Sequence, residues 1–206
     1  MAGGLNNAVG VATLRLDVKD DELQALKESG IVGAQFMMMA GQEKYEWDEA
    51  ERLAWRINDF GWSVDLQMDG SDLHEVEQRL ASWPGQIIIH HIGMFLRTKT
   101  LKQRGFKALT RLIDRDKAWV KLSGPYNSSR AGLIDDPEVA EIAKALINWA
   151  PERMVWGTNW PHLERSEDFP DDNELFRVFS EWVPESSRRK LILTENPTTL
   201  YGIKKP

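Results

Sequence analysis

Short apolar segments alternate with longer amphipathic segments along most of the chain. The apolar segments are of strand length and cover 9–16, 32–39, 63–68, 86–92, 118–124 and 154–159. Segments with the hydrophobic period of a helix cover 20–29, 47–60, 71–83, 106–115, 137–150, 173–183, 185–193 and 196–202. Because strands that alternate with helices across short loops are joined by right-handed crossovers, the pattern predicts about six βα units and a parallel sheet.

Polar residues on one face of two predicted strands distinguish a barrel from an open sheet. They are Asp65 and Gln67, followed by Asp69, in the third segment, and Lys121 and Ser123 in the fifth. The opposite, apolar faces suit packing against helices, so the polar faces must line a cavity or a barrel interior. The pattern therefore predicts an α/β protein of the (β/α)8 TIM-barrel type, incomplete with about six βα units, rather than an open doubly wound sheet. Active sites of such barrels lie at the carboxyl ends of the strands.

Composition is consistent with one folded domain and excludes several classes of site. The 206 residues are 42 % hydrophobic and 28 % charged, and we expect a single domain over 1–206. A formal net charge of -6 gives no reason to expect nucleic-acid or membrane binding, and no apolar run approaches the roughly 18 residues of a membrane span. The absence of cysteine excludes disulfides and thiolate sites, and the amino terminus lacks the pattern of a signal peptide. A cytoplasmic location is expected.

The histidines do not have the spacing of a metal centre. His90 and His91 end the fourth predicted strand and His162 follows the sixth, but the chain has no His-x-His or HExxH pattern. Neighbours along a strand face opposite sides, so only one of His90 and His91 is expected to face the interior. One such histidine together with Asn159 and Asp69 is a poor ligand set for zinc. We therefore expect no cofactor, with a weakly bound divalent ion such as Zn or Mn as the alternative.

Four segments together resemble one protein family. They are IIIHHIG, WVKLSGPY, APERMVWGTNWPH and the closing NPTTLYG. In this order they resemble the amidohydrolase-related family of (β/α)8 barrels, and within it the branch that contains 2-pyrone-4,6-dicarboxylate lactonase and related sugar-lactone enzymes. The likeness runs from about Gly10 to Gly202. The resemblance would number the six strands as three to eight of eight, and it implies action on a small lactone.

The resemblance also implies roles for individual residues by position. His91 falls at the histidine that ends the sixth barrel strand and meets substrate. Asn159 takes the place of the last-strand aspartate, which in this family activates the hydrolytic water as a general base. These two are the predicted catalytic residues, and the expected partner is a small-molecule substrate. The predicted substrate-binding residues are Gln35, Gln67, Tyr126, Asn127 and His162.

This chain departs from the family pattern in three ways. The His-x-His of the family's opening strand has no counterpart, so the chain resembles a member shortened by about two βα units. Gln35 and Asn127 stand where arginines that hold a dicarboxylate are expected, which argues against that substrate. Asn159 has no pKa in the working range, and loss of a general base costs about 10²- to 10⁴-fold in rate.

Two hypotheses remain open on the sequence. In the first, the protein is a hydrolase of a small lactone or cyclic ester that works without a metal; His91 polarises the carbonyl or acts as base, and Asn159 orients water. In the second, it is a catalytically impaired relative, or a fragment of a split barrel, that acts as a binding or assembly protein. Because an incomplete barrel leaves two unpaired strand edges, we also expect self-association through them.

Overall fold

The computed structural model describes residues 8–41, 44–97, 100–163 and 169–203. Within these ranges six strands form one sheet: β1 (Gly10–Ala12), β2 (Ile31–Met37), β3 (Ser63–Gln67), β4 (Ile87–Ile89), β5 (Ala118–Leu122) and β6 (Met154–Trp156). Every neighbouring pair is parallel, and the strands follow one another across the sheet in sequence order. The sheet curls, since Val11 of β1 and Asn159 beyond β6 line one cavity. The predicted fold class, an incomplete TIM-type barrel of six βα units, is confirmed.

Helices connect and follow the strands. They are α1 (Asp20–Glu28), α2 (Trp47–Asn58), α3 (Leu73–Ser82), α4 (Arg104–Asp114), α5 (Pro125–Ser128), α6 (Pro137–Trp149), α7 (Asp172–Trp182), α8 (Ser186–Lys190) and α9 (Asn196–Tyr201). The predicted helices 185–193 and 196–202 form one continuous region, because a π-helical turn over Leu191–Glu195 joins α8 to α9. Among the helices of the described ranges, none combines the length and apolarity needed to cross a bilayer. The amino-terminal residues 1–7, which lack a signal-peptide pattern, lie outside those ranges.

Acidic side chains cap the starts of several helical segments. Asp136 precedes α6 and accepts hydrogen bonds from the first free backbone N–H groups of that helix. Before α3, Asp69 caps a 3₁₀ turn over Gly70–Asp72. Its carboxylate accepts from Ser71 N at 2.8 Å, which begins a 3₁₀ turn one step earlier than the helix.

The two faces of the sheet bury different side chains. The outer face packs against the helices in a continuous apolar core that includes Val64, Leu66, Ile87, Ile89, Val120 and Leu122. The inner face carries a smaller apolar layer of Ile88, Trp119 and Val155, and Leu200 of α9 packs against it. Helix α9 therefore fills part of the interior of the curled sheet. Polar side chains occupy the interior nearer the carboxyl ends of the strands.

Candidate active site

A polar cavity opens at the carboxyl ends of the strands, with a volume of about 240 Å³. Its lining consists of Val11, Gln35, Asp65, Gln67, His90, His91, Lys121, Asn159, Trp160, Pro161 and Leu163. This lining holds one carboxylate, one ammonium, two imidazoles and three side-chain amides, and it contains no arginine. Trp160 and Leu163 are largely exposed and give the opening an apolar edge. The cavity is therefore nearly balanced in charge and rich in hydrogen-bonding groups.

Three ionisable side chains form a compact group in the cavity wall, which we call the strand cluster: Asp65 of β3, His90 directly beyond β4, and Lys121 of β5. Lys121 Nζ donates to Asp65 Oδ2 at 2.6 Å, and His90 Nε2 lies 3.0 Å from the same oxygen. Lys121 Nζ also lies 3.3 Å from His90 Nε2. The three polar atoms thus form a triangle that spans three consecutive strands.

Electrostatics hold the acid and the amine of the strand cluster in their charged forms. Burial raises the pKa of Asp65, but the charge of Lys121 and the hydrogen bond with His90 outweigh burial and lower the pKa to about 2. Burial lowers the pKa of Lys121, and the opposite charge of Asp65 more than compensates, so that the pKa is raised overall. Asp65 Oδ1 is buried without a hydrogen-bond partner among the described residues. Among the described residues, one oxygen of the charged Asp65 carboxylate therefore receives no hydrogen bond.

The loop after β4 brings both neighbouring histidines to the cavity, so the prediction that only one of them faces the interior is wrong. The strand ends at Ile89, and His91 and Ile92 have left-handed backbone conformations with φ of 49° and 59°. The alternation of side chains along a strand therefore no longer applies. The two imidazole rings meet edge to face with centroids 5.3 Å apart. Positive φ is rare for a β-branched residue such as Ile92, and such strain concentrates at functional sites.

His91 is buried against the residue that follows β5. Its Nδ1 lies 3.3 Å from the carbonyl oxygen and 3.3 Å from the hydroxyl oxygen of Ser123. Because a carbonyl oxygen only accepts, this contact assigns the hydrogen to Nδ1 and leaves Nε2 as an acceptor. Burial, reinforced by the charges of His90 and Lys121, lowers the pKa of His91 to about 3, although the hydrogen bond to Ser123 opposes the shift. His91 is therefore a neutral imidazole at neutral pH.

His91, Tyr126, Asn159 and His162 form a second group, which we call the loop cluster because its members follow β4, β5 and β6. Asn159 Nδ2 donates to Tyr126 Oη at 2.9 Å, and this hydroxyl lies 2.8 Å from His162 Nδ1. His162 Nε2 lies 3.3 Å from Asp172 Oδ1. With the Tyr126 hydroxyl as donor to His162, a continuous hydrogen-bonded chain runs from Asn159 at the cavity to Asp172 of α7.

Gly124 brings His91 close to Asn159. It has φ of 47° and lies directly before α5. A Cβ atom added there would lie 2.9 Å from His91 Nδ1 and 3.2 Å from the Nδ2 atoms of Asn127 and Asn159. The three side chains thus converge on one backbone position that admits no side chain. Asn127 Nδ2 is buried and has no hydrogen-bond partner within the described ranges.

The structure divides the residues predicted from the sequence into two sets. Those that line the cavity are Gln35, Gln67, His91 and Asn159. Those that lie behind this lining are Tyr126, Asn127 and His162. Their catalytic and substrate-binding roles stay predictions. Asp69, a further candidate, lies outside the cavity lining, because its carboxylate caps the turn before α3 and also accepts from Leu96 N.

The strand cluster is the part of the site that the family motifs did not identify. The polar alternation in β3 and β5 indicates that Asp65 and Lys121 face inward, but it does not indicate that they meet. Their pairing depends on the sheet register, in which Leu66, Ile89 and Val120 lie side by side on β3, β4 and β5. This register brings the carboxylate of Asp65, the imidazole of His90 and the ammonium of Lys121 to about the same level along the strands. The sequence carried only the alternation that turns Asp65 and Lys121 inward, and the register that joins them is a property of the folded sheet.

A parallel, barrel-like sheet with a polar cavity at its carboxyl ends is typical of TIM-barrel enzymes. The family model described as "Amidohydrolase" matches residues 6–203. The chain therefore belongs to the amidohydrolase family, which confirms the resemblance read from its motifs.

Two curated relatives and one crystal structure are similar over nearly the whole chain. D-galactarolactone isomerase from Agrobacterium fabrum is 31% identical over 198 residues, which are 95% of this chain and 67% of the relative. The 2-pyrone-4,6-dicarboxylate hydrolase of Comamonas testosteroni is 28% identical over 203 residues, 94% of this chain and 67% of the relative. An apo crystal structure from Agrobacterium tumefaciens superposes with a TM-score of 0.85 at 30% identity and covers 97% of this chain and 71% of the other. The chain thus spans about two thirds of the length of these curated relatives.

The residues of the cavity do not fit the divalent metal that an amidohydrolase barrel implies. Over the described ranges, no three His, Asp or Glu side chains are arranged to hold one metal ion. The two nearest candidates, Asp65 and His90, already hold the ammonium of Lys121 between them. Amide side chains supply most of the other polar groups of the lining, and their uncharged oxygens do not balance the charge of a divalent ion.

Proposed function

We propose that the protein acts on a small lactone or cyclic ester and opens it by hydrolysis without a bound metal. One observation supports this most directly: His91 and Asn159, the two candidates for handling water, line the same small cavity at the carboxyl ends of the strands. The curated relatives named as acting on lactones support the substrate class. We further propose that residues 1–206 work as one domain, in the cytoplasm.

His91 and Asn159 would hold the attacking water. In the assigned tautomer, His91 Nε2 accepts one hydrogen bond from the water, and Asn159 Oδ1 accepts the other while its Nδ2 donates to Tyr126. The water oxygen bonds to the lactone carbonyl carbon, and the ring C–O bond breaks. The water proton passes through His91 to the alkoxide that leaves. Because the pKa of His91 is about 3, it is a weak base, and this route is slow compared with that of an aspartate.

The charge balance of the cavity selects against dianionic substrates. Asp65 offsets the charge of Lys121 and His91 is neutral, which leaves the lining at most the single positive charge of His90. The side-chain amides of Gln35 and Gln67 suit the hydroxyl groups of a sugar lactone, because an amide can both donate and accept. Without an arginine in the lining, a second carboxylate would be left desolvated and unpaired. We therefore favour a hydroxylated monolactone over a dicarboxylate such as the substrate named for the relative from Comamonas testosteroni.

A lactone panel assayed in the presence of a chelator tests this proposal. The panel contains sugar lactones, D-galactarolactone and 2-pyrone-4,6-dicarboxylate, and ring opening is followed by proton release and by NMR. We expect turnover of at least one sugar lactone, unchanged by the chelator, and a loss of about 10²-fold or more in His91→Asn. Gly157→Ala is the control, since an added methyl group there meets no atom within 4 Å. A folded protein that opens none of these lactones, or that opens them only with added metal, would contradict the proposal.

The open sheet supports a second candidate, assembly through strand edges. Within the described ranges β1 and β6 each pair on one side only, and Val11 at the middle of β1 is exposed. Unpaired edges are templates for pairing with another chain. We propose that a second copy pairs with these edges. Light scattering over a range of concentrations tests it: a dimer that Val11→Pro dissociates is expected, and a monomer at every concentration would rule it out.

A further inference from the structure

We propose that the ammonium of Lys121 is a built-in cation, which occupies the site between Asp65 and His90 that a divalent metal would otherwise take. Asp65 and His90 are metal-ligand residue types, and Asp65 Oδ2 and His90 Nε2 are 3.0 Å apart. Two ligand atoms about 2.1 Å from a tetrahedral zinc ion stand about 3.4 Å apart, so this pair would need to open by only about 0.4 Å to hold one ion. The two atoms already face one cation, because Lys121 Nζ contacts both of them.

Lys121 Nζ lies next to both of these atoms, Asp65 Oδ2 and His90 Nε2. It lies 2.6 Å from Asp65 Oδ2 and 3.3 Å from His90 Nε2, so it contacts both atoms at hydrogen-bond distance. A metal ion bound to the same two atoms would lie in contact with Nζ. Two cations cannot share this position, because their repulsion in a buried setting is large. Metal could enter only if the side chain of Lys121 withdrew from Asp65 and His90.

The surroundings of the triangle also suit a cation. Asp65 is 1% exposed, and its Oδ1 is buried without a partner in the described part of the chain, so the carboxylate has spare capacity for a donor or a cation. The hydroxyl of Tyr201, at the end of α9, also interacts with Lys121. Asp65 Oδ1 and the phenol oxygen of Tyr201 add two further oxygen atoms that can bind a cation. Removal of the lysine side chain alone would therefore leave a cavity with oxygen and nitrogen donors facing inward.

Three variants of the full chain test this inference by thermal unfolding, with zinc chloride, manganese chloride or methylammonium chloride added. Lys121→Ala vacates the cation position, and Lys121→Met fills it with an apolar side chain of similar length. The double variant Asp65→Asn/Lys121→Ala removes the carboxylate ligand as well. No arm measures activity, so the result is independent of the lactonase proposal.

We expect the melting temperature of Lys121→Ala to rise by about 5 °C or more at saturating zinc, since a ligand that binds only the folded state stabilises it. Methylammonium should raise it as well, because it restores the missing ammonium. The wild type, Lys121→Met and the double variant should show no such rise. A folded Lys121→Ala protein that responds to neither cation would overturn the inference.

The wild-type protein provides a second test if Lys121→Ala does not fold. Wild-type protein is dialysed against zinc and then against metal-free buffer, and its zinc content is measured by mass spectrometry beside that of Asp65→Asn. We expect the same low zinc content in both proteins. One equivalent of zinc retained by the wild type and lost in Asp65→Asn would show that a metal binds beside Lys121, and would overturn the inference.

Discussion

The strand cluster and the loop cluster share one cavity but differ in charge and in backbone conformation. The strand cluster contains a buried carboxylate and a partly buried ammonium in direct contact. Asp65 and Lys121 lie within β3 and β5, and His90 has an extended backbone with φ of -76°. Regular sheet geometry thus positions the charged groups.

The loop cluster has the opposite character. His91 is neutral, and its partners are a serine and, across Gly124, two asparagines. Three of its members, His91, Asn159 and His162, have positive φ values of 49°, 72° and 58°. Each such conformation costs about 1–3 kcal/mol for a non-glycine residue and persists only where the surroundings enforce it. The comparison indicates that regular strands position the charges of the strand cluster, whereas strained backbone conformations position the neutral groups of the loop cluster.

The largest expected effect is on stability, from breaking the ion pair of the strand cluster. Asp65→Asn leaves the ammonium of Lys121 without its counter-charge, and removal of one partner of a buried pair costs about 3–5 kcal/mol. Urea unfolding at pH 7 measures the loss. Asp65→Asn/Lys121→Met removes both charges and should be less destabilised than Asp65→Asn alone. If the single variant unfolds like the wild type, the pair contributes nothing and the contrast between the clusters disappears.

The next effect concerns catalysis by the loop cluster. Asn159→Asp introduces a carboxylate where the family has its general base, and we expect a rise in lactone turnover of about 10²-fold or more. The control is Asn159→Ala, which removes the hydrogen bond to Tyr126 without adding a base. Rates over pH 5–9 on the best substrate of the panel provide the measurement. A turnover by Asn159→Asp no higher than the wild-type rate would show that position 159 is not where a base is needed.

The sequence was sufficient for the architecture because the sheet has a simple pattern. Each strand is an apolar or alternating segment and most of the helices are amphipathic, so the order of elements and their parallel arrangement follow from periodicity. The polar alternation in β3 correctly placed Asp65 and Gln67 on the inner face. The family motifs located His91 and Asn159, which the structure brings to one cavity.

Two features of the site could not be read from the sequence, for physical reasons. The position of His91 depends on a left-handed turn that begins at the end of β4, and nothing in the run IIIHHIG indicates positive φ at a histidine and an isoleucine. The contact between Asp65 and Lys121 joins residues 56 positions apart across an intervening strand, and it depends on register rather than on local pattern. Both features arise from tertiary packing.

A glycine substitution gives a smaller effect that is confined to the loop cluster. Gly124→Ala places a methyl group against His91 and the two asparagines, at a φ of 47° that alanine rarely adopts. We expect a loss of about 2 kcal/mol of unfolding free energy and a lower lactone turnover. Gly157→Ala, in the loop after β6, has open space around the added atom and should stay within about 0.5 kcal/mol of the wild type. Equal effects of the two substitutions would mean that the loop cluster tolerates displacement.

The last effect, on the pH dependence of stability, separates the two clusters. The pKa of His91 is lowered from 6.5 to about 3, so between these values the unfolded chain binds a proton at this residue that the folded chain does not. Stability therefore falls with acidification through this range, by about 1.4 kcal/mol per pH unit. The pKa of Asp65 is lowered from 3.8 to about 2, so its contribution is lost between these two values, mostly below the range of His91.

Urea unfolding of the wild type and of His91→Asn at pH 4.5 to 6 distinguishes these ranges. Asp65 is ionised in both folded and unfolded chains there, so it does not contribute to the slope. We expect the slope of unfolding free energy against pH to be smaller in His91→Asn by about 1.4 kcal/mol per pH unit, the contribution of one bound proton. In Gly157→Ala the slope should equal that of the wild type. Parallel wild-type and His91→Asn curves would mean that His91 takes up a proton in the folded protein. The loop cluster would then be charged, and its proposed role as a neutral holder of water would fail.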